Sequence, residues 1–417
     1  MRIALITEAP VNSSHGTGCV LLRLLCGSQV TVVNVRPEAD SRTDARIPEI
    51  VVPQKKNLGK RLVNAARRRV RRLHPTVASV VAAPVVGETY EIPDEALSAI
   101  READVVLGVL YSWFGLRFLQ ACLGPVPKTP PVALWFMDCG FGEESATSEL
   151  DRFLRGLTPQ FWAFNPEIKS ALASAFPWTA AKIEIKFHLG IELPELAPRE
   201  ASADACECVL LGTFWEASMA ALLRDIWKQV RAKDPRCGPL PWSASAIALE
   251  ILRKKEISVE PEISYRGHTS DPAAVLRQAD VAVMPFSTPA QRTSDYARYS
   301  FPSRLVDYCA QGLPIIALAH EGSTVARFIR ENQIGLVHDG NSVADAADAI
   351  ASYLKNAPLR GLHGKNARAA AERFFDIRKV RPEFVASLED VFCPVVPSTE
   401  AKTNHPKAKN SSSSSNV

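Results

Sequence analysis

Two rhythms alternate along the chain. Short, wholly apolar runs recur at Ile3–Ile6, Val30–Val35, Val105–Val109, Val132–Phe136, Phe161–Phe164 and Ile183–Phe187. Between several of them apolar positions return every three or four residues, as over Gly115–Cys122 and Pro166–Ala175. Unbroken apolar runs suit strands buried on both faces, and the longer period suits amphipathic helices. The pattern restarts at Val209–Leu211 with an amphipathic stretch from Ala217 to Val230. It continues through Val281–Pro285, Ile315–Ala319 and Gly335–Val337. Such alternation predicts an α/β protein of two Rossmann-like doubly wound domains facing a cleft.

The expected boundaries follow the breakers. Ile191–Glu200 holds two prolines among polar residues and reads as an interdomain linker. That gives a first domain over 1–192, a linker over 193–206 and a second domain over 207–393. Asp234–Ser245 carries Pro235, Pro239 and Pro241 around Gly238 and is expected to be a loop insertion. The tail 394–417 ends in a serine run with little to bury and is expected to be disordered. A length of 417 residues exceeds what one hydrophobic core usually supports.

Composition narrows the class without deciding it. Hydrophobic residues at 47% and charged residues at 23% exclude collagen, a mainly disordered chain and a small disulfide scaffold. A net charge of +4 does not call for a nucleic-acid partner. The start, Met1-Arg2-Ile3-Ala4-Leu5-Ile6-Thr7-Glu8, reads as a buried first strand rather than an export signal. The nine cysteines are scattered, with Cys206-Glu207-Cys208 the one close pair. Reduced core thiols in a cytoplasmic protein are expected, and no histidine or cysteine spacing points to a metal.

The densest chemistry lies at Ser300–Ala317. Ser300 is placed to cap a helix whose first turn holds Pro302, and Gly312 and Pro314 stop it before the strand at Ile315. Ser303 and Asp307, four apart, share a face. The first-turn amides, the Ser303 hydroxyl and Arg304 suit an anion, and Asp307 suits sugar hydroxyls. A capped surface helix without a ligand is the alternative. Ser13-Ser14-His15-Gly16-Thr17-Gly18 follows the first strand, and Gly16 and Gly18 would let backbone approach a ligand or merely turn the chain. Asp138, where Leu134–Phe136 runs into a loop, suits a proton-accepting carboxylate or a turn cap. His188 is expected to be a hydrogen-bonded structural residue near the linker.

Residues 55–74 form a separate feature. Lys55, Lys56, Lys60, Arg61, Arg67, Arg68, Arg69, Arg71 and Arg72 are nine positive charges without an acidic residue between them. Leu58, Leu62, Ala66, Val70 and Leu73 form a helical stripe. A basic amphipathic helix suits an anionic membrane surface, with Lys60, Arg61, Arg67, Arg68 and Arg71 as the docking charges. A solvated helix packed on its own sheet is the alternative.

Pro302-Ser303-Arg304-Leu305-Val306-Asp307-Tyr308 followed by Gly312-Leu313-Pro314-Ile315-Ile316-Ala317 resembles the donor-binding segment of GT-B glycosyltransferases of the family 4 type. Tyr265-Arg266-Gly267-His268, Leu276–Pro285, Glu321-Gly322-Ser323-Thr324 and Gly335-Leu336-Val337 extend the resemblance. It implies a hexosyltransferase, retaining and metal-independent, moving sugar from a nucleotide-diphosphate donor to a glycan or lipid-linked acceptor. The family's habit implies envelope polysaccharide synthesis on the inner membrane face, with no cofactor. It implies donor binding by Gly16, Gly18, Ser303, Arg304, Asp307, Gly322 and Ser323, with Asp138 and Arg304 catalytic. Asp307 stands where the family has the second Glu of a pair, a ribose ligand, whereas the first Glu falls at Tyr299. The family's Arg and Lys after the first strand of this domain are absent from Leu211-Gly212-Thr213-Phe214-Trp215-Glu216. Arg292 and Arg298 are candidate substitutes. An inactive binding protein and a sugar-nucleotide epimerase of the same fold are the other readings.

Overall fold

The computed structural model describes residues 1–7, 11, 16–34, 48–51, 90–140, 148–196, 206–214, 216–291 and 295–393. The first sheet is parallel throughout. Its strands are β1 (Arg2–Thr7), β2 (Gln29–Asn34), β3 (Glu49–Val51), β4 (Val105–Ser112), β5 (Val132–Gly140), β6 (Gln160–Ala163) and β7 (Ile183–Ile185). They lie in the order β3-β2-β1-β4-β5-β6-β7. The helices are α1 (Gly16–Leu24), α2 (Asp94–Glu102), α3 (Trp113–Leu123), α4 (Ser148–Leu157) and α5 (Pro166–Ala175). Residues 3–7 of β1 are all buried, as a central parallel strand covered on both faces must be.

The second sheet repeats the plan with β8 (Cys208–Leu211), β9 (Leu240–Ser243), β10 (Ile263–Gly267), β11 (Val281–Pro285), β12 (Ile315–Leu318) and β13 (Gly335–His338). Their order is β10-β9-β8-β11-β12-β13, again parallel. Its helices are α6 (Ala217–Lys233), α7 (Ala246–Lys254), α8 (Pro272–Arg277), α9 (Asp295–Tyr299), α10 (Ser303–Ala310), α11 (Thr324–Glu331), α12 (Val343–Lys355), α13 (Ala357–Phe374) and α14 (Ile377–Phe392).

Two expectations are corrected. Asp234–Ser245 is not wholly a loop insertion, because it contains β9, which pairs with both β8 and β10. Leu240 N donates toward β10, to Glu262 O at 2.9 Å. The next position therefore faces β8, where pairing begins only at Trp242. Pro241 thus sits where no ladder donor is needed.

The second domain also does not run to 393. Helix α14 packs on the first sheet, where Phe384 lies 5.3 Å from the Trp135 ring and 6.1 Å from that of Trp162. The two chain crossings run side by side. Ile191 N donates to Phe375 O at 2.8 Å, and Ile377 N donates to Ile191 O at 3.0 Å. His188 lies under α14 rather than in the cleft. Its Nε2 has no hydrogen-bond partner among the described residues. Burial, helped by the Lys186 charge, pushes its pKa down to about 4, so the ring is neutral at pH 7. The expectation of a hydrogen-bonded histidine is not met at that atom.

Candidate functional site

Ligands of open parallel sheets sit beyond the carboxyl ends of strands, where strand order reverses. In the second sheet that point falls between β8 and β11, and in the first between β1 and β4. A concavity of 610 Å³ lined by Arg2, Cys26, Gln29 and Glu102 opens at the amino ends of β1 and β2. It lies at the wrong end of the strands for such a site.

Arg304 occupies the second sheet's reversal point. Its Nη1 donates to Leu211 O at 3.0 Å and Thr213 O at 3.2 Å, and its Nη2 to Pro285 O at 3.2 Å. It therefore ties the end of β8 to the end of β11. Three of the five N–H groups of a guanidinium are thereby committed to backbone. Two N–H groups remain for the anion contact expected from the sequence. Its charge remains at the crevice, beside Gly212. That residue has φ +82°, and a Cβ there would stand 3.7 Å from Nη1. Leu211 N donates to the buried Tyr308 hydroxyl at 3.1 Å, so α10 fixes the strand end a second way.

Helix α10 starts one step later than expected. Pro302 is its N-cap, with φ −74°, ψ 130° and no side-chain cap bond. Leu305 N bonds Pro302 O at 3.0 Å. The amides of Ser303 and Arg304 have no acceptor among the described residues, as first-turn amides lack one unless a side chain or ligand supplies it. Both residues are half-buried. The carboxyl end is as the sequence implied, with Gly312 at φ +64° and Leu313 N bonding Tyr308 O at 3.1 Å.

Ser300 does not cap α10. Its hydroxyl donates to Asp138 Oδ2 across the cleft, at 2.5 Å. Asp138, half-buried near the end of β5, thus meets the opposite domain rather than a turn of its own. Asp307 lies one turn into α10, on the side of Arg23 of α1. Burial raises its carboxyl to about 6 against the opposing pull of Arg23.

Ser323 is a helix cap. It is fully buried, and its Oγ accepts from Ala326 N at 3.1 Å at the start of α11. Its hydroxyl is thus engaged within α11. Gly322 is exposed, and its N–H donates to His320 Nδ1 at 3.1 Å. Gly16 and Gly18 lie in the first turn of α1, beyond the end of β1. Arg292, residues 12–15 and the whole basic segment 55–74 lie outside the described residues. That segment includes Lys60, Arg61, Arg67, Arg68 and Arg71. Arg298 is exposed and stacks over the Tyr299 ring at 5.0 Å.

Sequence reasoning missed Asn165 and Glu167. Asn165 caps α5, with Oδ1 accepting from Ile168 N at 2.8 Å, and its Nδ2 donates to Tyr299 O at 2.7 Å. The Glu167 carboxylate pairs with both terminal nitrogens of Arg327 on α11. The Asn165-Pro166-Glu167 signature announces a helix start, but not the partners across the cleft. No three His, Cys, Asp or Glu side chains gather as metal ligands among the described residues. Among the same residues no helix is long and apolar enough to cross a membrane.

Residues 206–356 match the family model described as glycosyl transferases group 1. The whole chain resembles Anabaena HepE in complex with UDP at 13% identity and a TM-score of 0.63, covering 94% of this chain and 100% of that one. A variant of S. aureus TarM in complex with fondaparinux, alpha-GlcNAc-glycerol and UDP gives 10% identity and a TM-score of 0.57, over 94% and 99%. WaaG, a glycosyltransferase involved in lipopolysaccharide biosynthesis, gives 13% and 0.55, over 93% and 99%. The fold is that of GT-B glycosyltransferases. No curated protein matches the sequence.

Proposed function

We propose, from a second domain of the group 1 glycosyltransferase family within a GT-B fold, that this protein transfers a sugar from a nucleotide-diphosphate donor to a glycan or lipid-linked acceptor. The observation that carries the reading is the uncapped start of α10. It sits at the strand-order reversal of the family-matched domain and faces the first domain. HepE is described with UDP and TarM with UDP beside a glycan, which supports a uridine diphosphate donor here.

The chemistry follows from the residues. As the anomeric C–O bond breaks, positive charge grows on the sugar and negative charge on the departing diphosphate. The Ser303 and Arg304 amides offer fixed donors to that diphosphate. A helix start contributes about 0.3–1 kcal/mol to a nearby anion, and more when partly buried. Arg304 adds charge while holding β8 and β11 at fixed spacing. Asp307 offers its carboxylate to ribose hydroxyls. Gly322, Gly16 and Gly18 are assigned to the donor side. Asp138 is the carboxylate for the acceptor side. We assign the reaction as a retaining hexosyl transfer without metal or cofactor. Its setting is envelope polysaccharide synthesis in the cytoplasm, with residues 55–74 resting on an anionic membrane.

Incubation with a panel of nucleotide sugars and glycan or lipid-linked acceptors tests the reading. Transfer that Asp138→Asn lowers by about 10²-fold or more is expected, the range for a positioned acid–base group. A second reading, a binding protein without turnover, draws on Tyr299 in place of an acidic residue. Donor binding with neither transfer nor hydrolysis would select it.

A further inference from the structure

Three consecutive residues ahead of α10 are fastened to the opposite domain. Tyr299 gives its carbonyl to Asn165 Nδ2 at 2.7 Å, and Ser300 gives its hydroxyl proton to Asp138 Oδ2 at 2.5 Å. The Phe301 ring then lies 5.1 Å from Phe187 and 6.1 Å from Phe164 of the first domain. It also lies 5.1 Å from Phe328 on α11 and 6.2 Å from Phe375 at the crossing. Aromatic pairs at these separations hold orientation as well as area.

We propose that Tyr299–Phe301 is a strap through which the first domain sets the place of the α10 start, and that Asn165 is its positioning residue. The proposal rests on the donor reading above.

Asn165 is 2% exposed and its amide reaches both helix starts at the second sheet's carboxyl edge. One bond goes to Tyr299 O ahead of α10. The other goes to Thr324 Oγ1, the first residue of α11, at 3.5 Å. Thr324 Oγ1 in turn donates to Arg298 O at 3.2 Å. Two residues along, Glu167 holds Arg327 on the same α11. Parting the domains would leave a buried amide and a carbonyl without partners, which is unfavourable. The strap therefore carries the position of one domain to the amides that meet a diphosphate in the other. It acts through α10 and touches no substrate itself.

Asn165→Asp separates this role from a structural one. Aspartate caps a helix as well as asparagine does, so α5 keeps its Ile168 bond. The donor to Tyr299 O becomes a carboxylate facing a carbonyl. Titration calorimetry on the full chain with nucleoside diphosphates and their matched monophosphates reads the result. The diphosphate affinity should fall about tenfold, the equivalent of 1.4 kcal/mol. The monophosphate affinity should stay near that of the wild type, while the melting temperature falls because the buried carboxylate meets the Tyr299 carbonyl. Ser300→Ala, which leaves the α5 cap untouched, should move the diphosphate affinity the same way by a smaller factor. Equal losses for both ligands, or no loss in either variant, overturns the strap. A wild type that binds no diphosphate ends the donor reading itself, and with it the strap's role, before any variant is made.

Discussion

Helices α10 and α11 both start at the carboxyl edge of the second sheet, yet they finish their first turns in opposite ways. In α11 a buried serine turns its side-chain oxygen onto Ala326 N, the third amide of the helix. In α10 a proline holds the cap position and contributes no side-chain oxygen, and the first two amides lie at the junction of the domains. A proline cap satisfies geometry without satisfying donors. The contrast separates a helix start with a side-chain cap built in from one whose cap position leaves room for an acceptor from outside.

Substitutions can break this contrast. Arg304→Ala is the harshest, since it deprives Leu211, Thr213 and Pro285 carbonyls of their donor at once. Stability should drop by about 3 kcal/mol on the scale of lost buried hydrogen bonds, and diphosphate binding should vanish. Arg304→Lys should not restore it, because a point ammonium cannot reproduce a planar fork across two strands. Denaturant melts with parallel calorimetry would show both effects.

Pro302→Asp converts α10 into a second α11. The new carboxylate would cap the open amides and repel the donor's phosphates. We expect about 1 kcal/mol more stability with at least a tenfold weaker diphosphate affinity. Gain and loss in one variant distinguish an anion site from a merely frayed helix.

Asp307→Asn probes the same helix through pH. The carboxyl is raised by burial from 3.8 to about 6, so the native state binds its proton more tightly than the unfolded chain does. Its contribution is present in full below 3.8 and is lost as pH rises toward about 6. The asparagine variant should flatten that part of the stability profile and be the more stable protein at pH 8. Urea midpoints across that range would check it.

Ser323→Ala should have the smallest effect. Losing the α11 cap should remove about 1 kcal/mol of stability and leave nucleotide affinity unchanged. A large loss of affinity would return Ser323 to the donor site.

What the sequence disclosed follows the reach of each interaction. Helix α5 was legible to the residue, Pro166–Ala175, because its cap and first-turn proline are local signals. The glycine stop of α10 was legible for the same reason. Strand β9 was hidden by prolines whose harmlessness depends on which neighbour each amide faces. The return of α14 to the first sheet depends on Phe384 meeting Trp135 and Trp162, some 220 to 250 residues away by the numbering, and no periodicity encodes that. Arg304 was singled out correctly as a residue but not in its contacts, because its acceptors are three backbone carbonyls from two other strand ends. Asn165 and Glu167 carried only a helix-start signature, and their partners across the cleft became visible with the fold.

The open start of α10 is best tested by one calorimetric comparison, titrating uridine diphosphate into the wild type and Pro302→Asp at equal salt. The account predicts measurable binding by the wild type and at least tenfold weaker binding by a variant that melts at the same or a higher temperature. Equal affinity in the two proteins would contradict it.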